Sequence, residues 1–160
     1  MSTKPLSIRG VAHPPPPRRG GRANRADLTS AEIGGTNLAG KPLLCEHDHG
    51  ERVGTVLASW QGRDGSLRIA ANVEDARAIE SVRRGEMRGL SLGTSMILAE
   101  DGNVAFRGQD ELSICEEGKR PGTWIDTVNG RPCRAVECFS KSADGAQTRL
   151  PSAKIISPLT

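Results

Sequence analysis

The sequence is poor in aromatic residues, with two Trp, two Phe and no Tyr among 160 residues. A hydrophobic core must therefore be built from Ile, Leu, Val and Ala. Proteins that bind single-stranded nucleic acid commonly stack bases on aromatic side chains, so this composition argues against such a function. No apolar run approaches the ~18 residues that a membrane span needs, and no apolar segment typical of a signal peptide follows the start. We therefore expect neither membrane insertion nor secretion.

The chain has four cysteines, and none of them forms a Cys-x-x-Cys pair. In a protein that is not secreted, we expect thiols to stay reduced in a cytosolic or nuclear compartment. The closest spacing is Cys133-x4-Cys138, which does not predict a structural zinc ribbon.

Positive charge is concentrated at the N-terminus, although the net charge of the whole chain is only +3. Residues 1–25 contain no acid and six of the 22 basic residues, which leaves 16 basic against 19 acidic residues in the remainder. A basic arm of this kind can contact nucleic-acid phosphates, although a solvated tail is the more common meaning of such a run. The rest of the chain is mildly acidic.

The hydrophobic pattern predicts strands more often than helices. Alternation favours a first strand at 5–12 and separate strands at 104–107 and 112–115, among about seven in all. Asn129-Gly130 is typical of a type I′ hairpin that leads into a strand at 131–139. One helix is predicted, with Asn72 as its N-cap. This pattern indicates a mainly β fold with few helices (α+β), a closed or nearly closed antiparallel β-barrel, because closure removes sheet edges.

Two segments interrupt this pattern. Residues 13–41 begin with His13 and a run of four prolines, which cannot join a ladder, and continue with many glycines. We expect a basic, flexible loop there, with at most one helical turn near 28–33. Residues 140–160 are polar and are expected to form a C-terminal tail.

The pentapeptide Gly89–Gly93 fits the Gly-x-Ser-x-Gly pattern of a nucleophilic serine, here Ser91. In α/β-hydrolases the catalytic histidine comes after that serine, whereas His13, His47 and His49 all precede it. The sequence therefore excludes that fold. A triad is defined by geometry and not by chain order, so His47 and His49 remain candidates for the base.

A metal site is the main alternative use of these histidines. On an extended segment Cys45, His47 and His49 share one face, and together with a distant Cys115 they could ligate zinc. A solvated polar loop is the third interpretation.

Three segments resemble one group of proteins. Pro42–Ala71, which contains Glu46-His47-Asp48, is similar to the stretch around the catalytic histidine of herpesvirus assemblins and of tailed-phage prohead proteases. Gly85–Gly93 resembles their nucleophile segment. Leu112–Thr123 resembles the assemblin segment that carries the third catalytic residue and the oxyanion loop. The segments occur in the family order.

The resemblance implies that His47 is the base, Ser91 the nucleophile and Glu111 the third member. Assemblins have a second histidine at the third position, whereas prohead proteases have a glutamate in a Glu-x-Ser context, which Glu111-Leu112-Ser113 reproduces. The resemblance further implies an oxyanion loop that uses the backbone N–H of Lys119 and the cationic side chain of Arg120.

The function implied is that of a serine endopeptidase that cleaves a capsid scaffold protein or its own precursor. Residues 1–139 would form a single protease domain, with no cofactor and no metal. The expected partners are the capsid scaffold protein and the major capsid protein, with a possible homodimer. The expected location is the procapsid interior, in the nucleus or cytoplasm of the infected cell. The alternatives are an inactive assembly protein that binds scaffold or nucleic acid through the basic arm, and the metal-binding module.

Overall fold

The computed structural model describes residues 4–16 and 27–133, and the structural statements below concern these residues. They form two short helices and eight strands. The helices are α1 (Ser30–Gly34) and α2 (Ala76–Arg83), and the strands are β1 (Leu6–His13), β2 (Pro42–Cys45), β3 (Asp48–Gln61), β4 (Leu67–Val73), β5 (Gly89–Leu98), β6 (Val104–Cys115), β7 (Ile125–Val128) and β8 (Arg131–Pro132). The prediction of a mainly β fold is confirmed.

All eight strands belong to one sheet, in the order β5-β6-β2-β3-β4-β1-β7-β8. Every ladder is antiparallel except that between β2 and β6, which is parallel. The prediction of a wholly antiparallel sheet was therefore wrong at this pair. Parallel strands cannot be joined by a tight turn. The chain between β2 and β6 contains β3, β4, α2 and β5, so the sequence near either strand does not indicate that the two pair.

The sheet curls so that β5, the edge strand at one end of the sheet, contacts the segment that precedes β7. Gly89 forms a single antiparallel bridge with Trp124. The N–H of Leu90 donates to the carbonyl of Thr123 at 3.2 Å, and the N–H of Ile125 donates to the carbonyl of Arg88 at 2.9 Å. The contact is confined to this short stretch, so the sheet is a nearly closed barrel.

The interior of the barrel is aliphatic, as the composition requires. Among the positions whose burial the structure describes, the buried hydrophobic residues are Leu, Ile, Val, Ala and Cys115, and neither Trp60 nor Trp124 belongs to them. The inward positions of β1 and β4 alternate with partly or fully exposed ones, as in strands with one buried face.

Helix α2 begins later than predicted. Asn72 was the expected N-cap, but it lies within β4, where it pairs with Ser7 and Thr55 on the two neighbouring strands. Asp75 is the N-cap, and its side chain accepts a hydrogen bond from the N–H of Ala78 at 3.0 Å. Asn and Asp are both favoured as N-cap residues. Asn72 does not cap the helix because it pairs with the strands on both sides of β4.

Part of the segment predicted as a loop, residues 13–41, belongs to the core. His13 ends β1, and residues 27–41 contain α1, which starts with a capping box between Thr29 and Glu32. Leu28, Ile33 and Leu38 are at most 1% exposed. These three residues are spaced by five, which matches neither the strand period nor the helix period, so the pattern did not reveal them. Residues 17–26 lie outside the described chain.

The predicted turns fare better than the predicted strand ends. Asn129 and Gly130 both have positive φ, 50° and 80°, which confirms the type I′ hairpin. The two strands expected at 104–107 and 112–115 are one continuous strand, β6. Most of the strand expected at 131–139, and the tail 140–160, lie outside the described residues. No helix in the described ranges is long and apolar enough to cross a membrane.

Candidate active site

His47 lies in the two-residue turn that joins β2 to β3. Cys45 pairs with Asp48 across this turn, and the two residues between them have left-handed backbones, with φ of 51° at Glu46 and 61° at His47. Positive φ at both central positions is the geometry of a type I′ turn. Such a conformation is uncommon for residues other than glycine, although histidine is enriched in it.

Strand β6 holds this turn in place. The N–H of Glu46 donates to the carbonyl of Ile114 at 2.9 Å, and the N–H of His47 donates to the hydroxyl of Ser113 at 2.9 Å. The surrounding structure thus fixes a conformation that would otherwise cost about 1–3 kcal/mol per residue. Strained backbone of this kind tends to occur at functional sites.

The turn also removes the premise of the metal hypothesis. Cys45, His47 and His49 share a face only on an extended segment, and the left-handed residues 46 and 47 break that alternation. His49 is exposed on β3. Within residues 4–16 and 27–133, no group of three His, Cys, Asp or Glu side chains is arranged to hold a metal ion.

Ser91 lies near the start of β5, directly opposite Ser113 of β6, and Gly93 lies opposite Glu111. Residues two apart on a strand share a face, so these four positions form one block of two by two. Ser91 belongs to the buried part of β5 and is itself 7% exposed. The hairpin between β2 and β3 brings His47 over this block.

Ser91, His47 and Glu111 are connected by two short hydrogen bonds. The Oγ of Ser91 lies 2.8 Å from Nε2 of His47, and Oε1 of Glu111 lies 2.6 Å from Nδ1. Because an ionised carboxylate only accepts hydrogen bonds, the Nδ1–H tautomer of His47 fits this arrangement. The serine hydroxyl then donates to Nε2. The arrangement can remove the hydroxyl proton and stabilise the resulting imidazolium.

Glu111 is buried and held at both carboxylate oxygens. Its side chain is 4% exposed, whereas that of His47 is 33% exposed. Oε1 contacts the imidazole, and Oε2 accepts a hydrogen bond from the hydroxyl of Ser113 at 3.1 Å. Burial of a carboxylate is costly unless hydrogen bonds satisfy it, and these two partners do so.

Both glycines of the Gly-x-Ser-x-Gly motif make room for protein atoms. A Cβ on Gly93 would lie 2.5 Å from Cδ of Glu111 and closer still to Oε1. A Cβ on Gly89 would lie 2.6 Å from the carbonyl carbon of Glu117. Glycines that flank a nucleophile can leave space for a substrate backbone to approach. The structure gives them a different role, because the carboxylate and the loop after β6 occupy that space.

The loop predicted to form the oxyanion hole packs against β5 just ahead of Ser91. A Cβ on Gly118 would lie 2.7 Å from the carbonyl oxygen of Leu90, and the buried Thr123 donates its hydroxyl to the carbonyl of Arg120 at 2.6 Å. Lys119 is exposed. The Nε of Arg120 forms an ion pair with Asp27 at 3.0 Å. The oxyanion role of Lys119 and Arg120 stays a prediction.

Two thiols near the site are poor nucleophiles. Burial raises the pKa of Cys115 to about 12, with a smaller contribution from the negative charge of Glu46. The pKa of Cys45 is also raised, first by burial and then by the charges of Glu51, Glu46 and Asp48. Because the thiolate is the reactive form, we expect these two cysteines to be unreactive near neutral pH.

Sequence reasoning identified Ser91, His47 and Glu111, but it missed Ser113 as the partner of the last two and Asp27 as the partner of Arg120. Ser91, His47 and Glu111 lie together as the resemblance implied. Ser113 was noted only as part of the Glu-x-Ser context, although its spacing of two from Glu111 already places both side chains on one face. Asp27 was missed altogether, since no local pattern links it to Arg120, 93 residues away.

No model of a known protein family and no curated protein matches the sequence significantly. Several solved structures of Kaposi's sarcoma-associated herpesvirus protease match the fold. One, in complex with a hexapeptide phosphonate inhibitor, aligns with a TM-score of 0.56 and 16% identity over 76% of this chain. The chain spans 64% of the length of that protease.

Two further structures of the same protease extend this comparison. A complex with an allosteric inhibitor gives a TM-score of 0.52 and 18% identity, covering 84% of this chain and 83% of the protease. A complex with a dimer disruptor gives a TM-score of 0.50 and 19% identity, covering 84% and 82%. At these identities the likeness concerns the backbone alone, and the fold of this chain is that of the herpesvirus proteases.

Proposed function

We propose that this protein is a serine endopeptidase with Ser91 as nucleophile, His47 as general base and Glu111 as the orienting acid. The observation that carries the proposal is the unbroken chain of hydrogen bonds from the Ser91 hydroxyl through both ring nitrogens of His47 to the buried Glu111 carboxylate. The fold shared with a known protease supports it.

The proposed reaction follows from these contacts. His47 Nε2 takes the Ser91 proton while Oγ attacks the peptide carbonyl and forms a tetrahedral intermediate. The imidazolium then gives that proton to the leaving amine as the C–N bond breaks, which leaves an acyl-enzyme. A water molecule, deprotonated by His47, attacks the ester, and the proton returns to Ser91 Oγ as the product acid leaves.

Glu111 contributes through its burial. Its carboxylate is 4% exposed, and it faces the ring across 2.6 Å. Charges interact more strongly where water is excluded, so the carboxylate stabilises the imidazolium that forms during both proton transfers. A carboxylate serves this purpose better than the neutral histidine that assemblins have at this position.

The tetrahedral intermediate also needs donors for its oxyanion. We propose the backbone N–H of Lys119, together with the Arg120 guanidinium, for this role. The loop that carries them is fixed next to Ser91 by the contact of Gly118 with Leu90. One such donor is typically worth about 3–4 kcal/mol of transition-state stabilisation.

For the biological setting, we propose capsid maturation. The substrates would be a capsid scaffold protein, the major capsid protein or the precursor of the enzyme itself, cleaved inside an assembling procapsid in the infected cell. Two observations support this setting: the likeness of three segments to assemblins and prohead proteases, and the herpesvirus protease fold. A homodimer is part of the proposal, since a herpesvirus protease of this fold binds a dimer disruptor.

The test uses a peptidyl phosphonate that carries a fluorescent tag. We expect covalent labelling of the wild-type protein and none of Ser91→Ala. Ser95→Ala, which removes a hydroxyl from the same strand four residues away, is the matched control and should label normally. Labelling that survives in Ser91→Ala would remove the assignment.

Co-expression with the proteins encoded beside it in the genome addresses the substrates. Mass spectrometry of the products should show truncated scaffold or capsid protein with the wild type and intact protein with Ser91→Ala. Intact neighbours in both cultures, together with normal phosphonate labelling, would exclude capsid maturation while leaving the peptidase chemistry in place.

A further inference from the structure

Ser113 is the most enclosed polar residue of the site, at 0% exposure. Its hydroxyl accepts a hydrogen bond from the backbone N–H of His47 at 2.9 Å and donates one to Oε2 of Glu111 at 3.1 Å. Its Oγ also lies 3.4 Å from Nδ1 of His47. A single hydroxyl therefore contacts both residues that are to activate Ser91.

We propose that Ser113 is a positioning residue that holds the Glu111 carboxylate and the His47 turn in alignment with each other. This inference rests on the proposed peptidase function. Ser113 would not touch the substrate, because it is fully buried and its hydroxyl is hydrogen-bonded to His47 and Glu111.

The contact with Oε2 carries the argument. A carboxylate bonded only through Oε1 can rotate about its last side-chain bond, and rotation moves Oε1 away from Nδ1. The hydroxyl of Ser113 prevents this by holding the second oxygen. Without it, a carboxylate that is 4% exposed would keep one unsatisfied oxygen, which is unfavourable in a buried site.

The contact with the His47 backbone adds a second restraint. His47 has a φ of 61°, and its N–H donates to the Ser113 hydroxyl. Loss of that acceptor removes one of the two bonds by which β6 holds the left-handed turn. The imidazole and its carboxylate partner would then lose alignment together.

A simpler interpretation is that Ser113 only satisfies the His47 N–H. The two interpretations differ in what happens to the Nδ1–H proton. A proton shared between an imidazole and a carboxylate in a short, fixed hydrogen bond resonates far downfield in NMR, and its position depends on the alignment of the pair. A residue with a merely structural role would not move this signal.

The experiment compares Ser113→Ala with Ser113→Thr and Ser66→Ala in the full-length chain. Ser66 is the matched control because it is also buried and also donates its hydroxyl to a carboxylate, that of Asp64 at 2.6 Å, but in the turn between β3 and β4. The measurements are the downfield proton signal, its loss in a His47→Ala reference, and peptide hydrolysis. Thermal melting verifies that each variant is folded.

In Ser113→Ala we expect the signal to shift upfield or broaden, and kcat to fall about 10- to 100-fold with KM unchanged, which is the size of effect expected from losing one hydrogen bond to a charged group. Ser113→Thr, which keeps the hydroxyl, should retain the signal, and Ser66→Ala should behave as the wild type. An unchanged signal in Ser113→Ala overturns the inference whatever the rate, and so does a shifted signal with an unchanged rate.

Failure of the proposed function would look different. In that case the wild type itself shows no hydrolysis that depends on Ser91. The proton signal, which needs no substrate, then decides by itself whether Ser113 positions the pair.

Discussion

Gly93→Ala is the most informative single substitution in this protein, because it adds one methyl group at the point where the Glu111 carboxylate crosses β5. The new Cβ would lie 2.5 Å from Cδ and 3.1 Å from Cγ of Glu111. Ordinary carbon contacts begin near ~3.5 Å, so Cδ must move by roughly 1 Å. The Oε1 atom, which now lies 2.6 Å from Nδ1 of His47, moves with it.

The displaced carboxylate can no longer orient the imidazole. We therefore expect Gly93→Ala to lower kcat by up to about four orders of magnitude, the loss found when the acid of a serine-protease triad is removed or neutralised. The free energy of unfolding should fall by about 1–3 kcal/mol, because the displaced carboxylate loses buried hydrogen bonds. Peptide hydrolysis and denaturant titration measure the two effects.

Gly35→Ala is the control for adding a methyl group to a glycine. Gly35 has a φ of −92°, and its added Cβ would meet no atom closer than 3.5 Å. Activity and stability should therefore stay close to those of the wild type.

A double-mutant cycle isolates the physical cause. If the methyl group acts through Glu111, then Gly93→Ala should add almost nothing to the rate loss of Glu111→Ala, because the clash has gone. Full activity in Gly93→Ala, or a further large loss in the double mutant, would refute this reasoning.

Three further predictions follow from other contacts. His47→Ala should abolish phosphonate labelling whereas His49→Ala should leave it near the wild-type level, since only His47 contacts the nucleophile; equal losses would contradict the assignment of the base. Asp27→Ala should lower the free energy of unfolding by about 1–3 kcal/mol, because its ion pair with Arg120 is only 16–17% exposed; an unchanged denaturation midpoint would exclude an anchoring role. The pKa of Cys115 is raised from 9.0 to about 12, so between these pH values the thiol ionises in the unfolded chain but not in the folded one. The free energy of unfolding is therefore unaffected by this thiol below pH 9 and falls by about 1.4 kcal/mol per pH unit between 9 and 12. Cys115→Ala should lack this part of the decline, and parallel curves for both proteins would show that the thiol is not responsible.

Local patterns were enough to predict the short-range features of the fold. Asn129-Gly130 determines its own hairpin, because both residues tolerate positive φ. The scarcity of aromatics determined an aliphatic core. Residues within a few positions of each other decide these features, so they can be read from one sequence.

Features that depend on distant partners were predicted less well. The parallel pairing of β2 with β6 joins residues about 70 positions apart, and it leaves no periodic trace in either strand. Asn72 has the side chain of a cap but is held in a strand from both sides. Leu28, Ile33 and Leu38 fill the core from a segment whose spacing suggests a loop.

The candidate site combines both situations. Ser91 and its glycines are a local motif, and the resemblance to proteases supplied His47 and Glu111. The turn that orients His47 was not foreseen, since Glu46-His47 lacks the glycine or asparagine that normally marks a type I′ hairpin. Its left-handed geometry depends on two acceptors of β6, the carbonyl of Ile114 and the hydroxyl of Ser113, which the local sequence does not contain.

The pairing of β2 with β6 has a consequence for when, during folding, the candidate site is assembled. Ser91 and Glu111 lie on one hairpin, formed by β5 and β6, whereas His47 precedes Ser91 by 44 positions. Contacts over such sequence separations form after local hairpins. A nascent or partly folded chain therefore has Ser91 without an aligned His47, because β6 has not yet docked against the turn. Under the proposed function, completion of the sheet is therefore a precondition of activity, so that cleavage of any neighbouring protein, including a second copy of this one, would begin only once folding is finished.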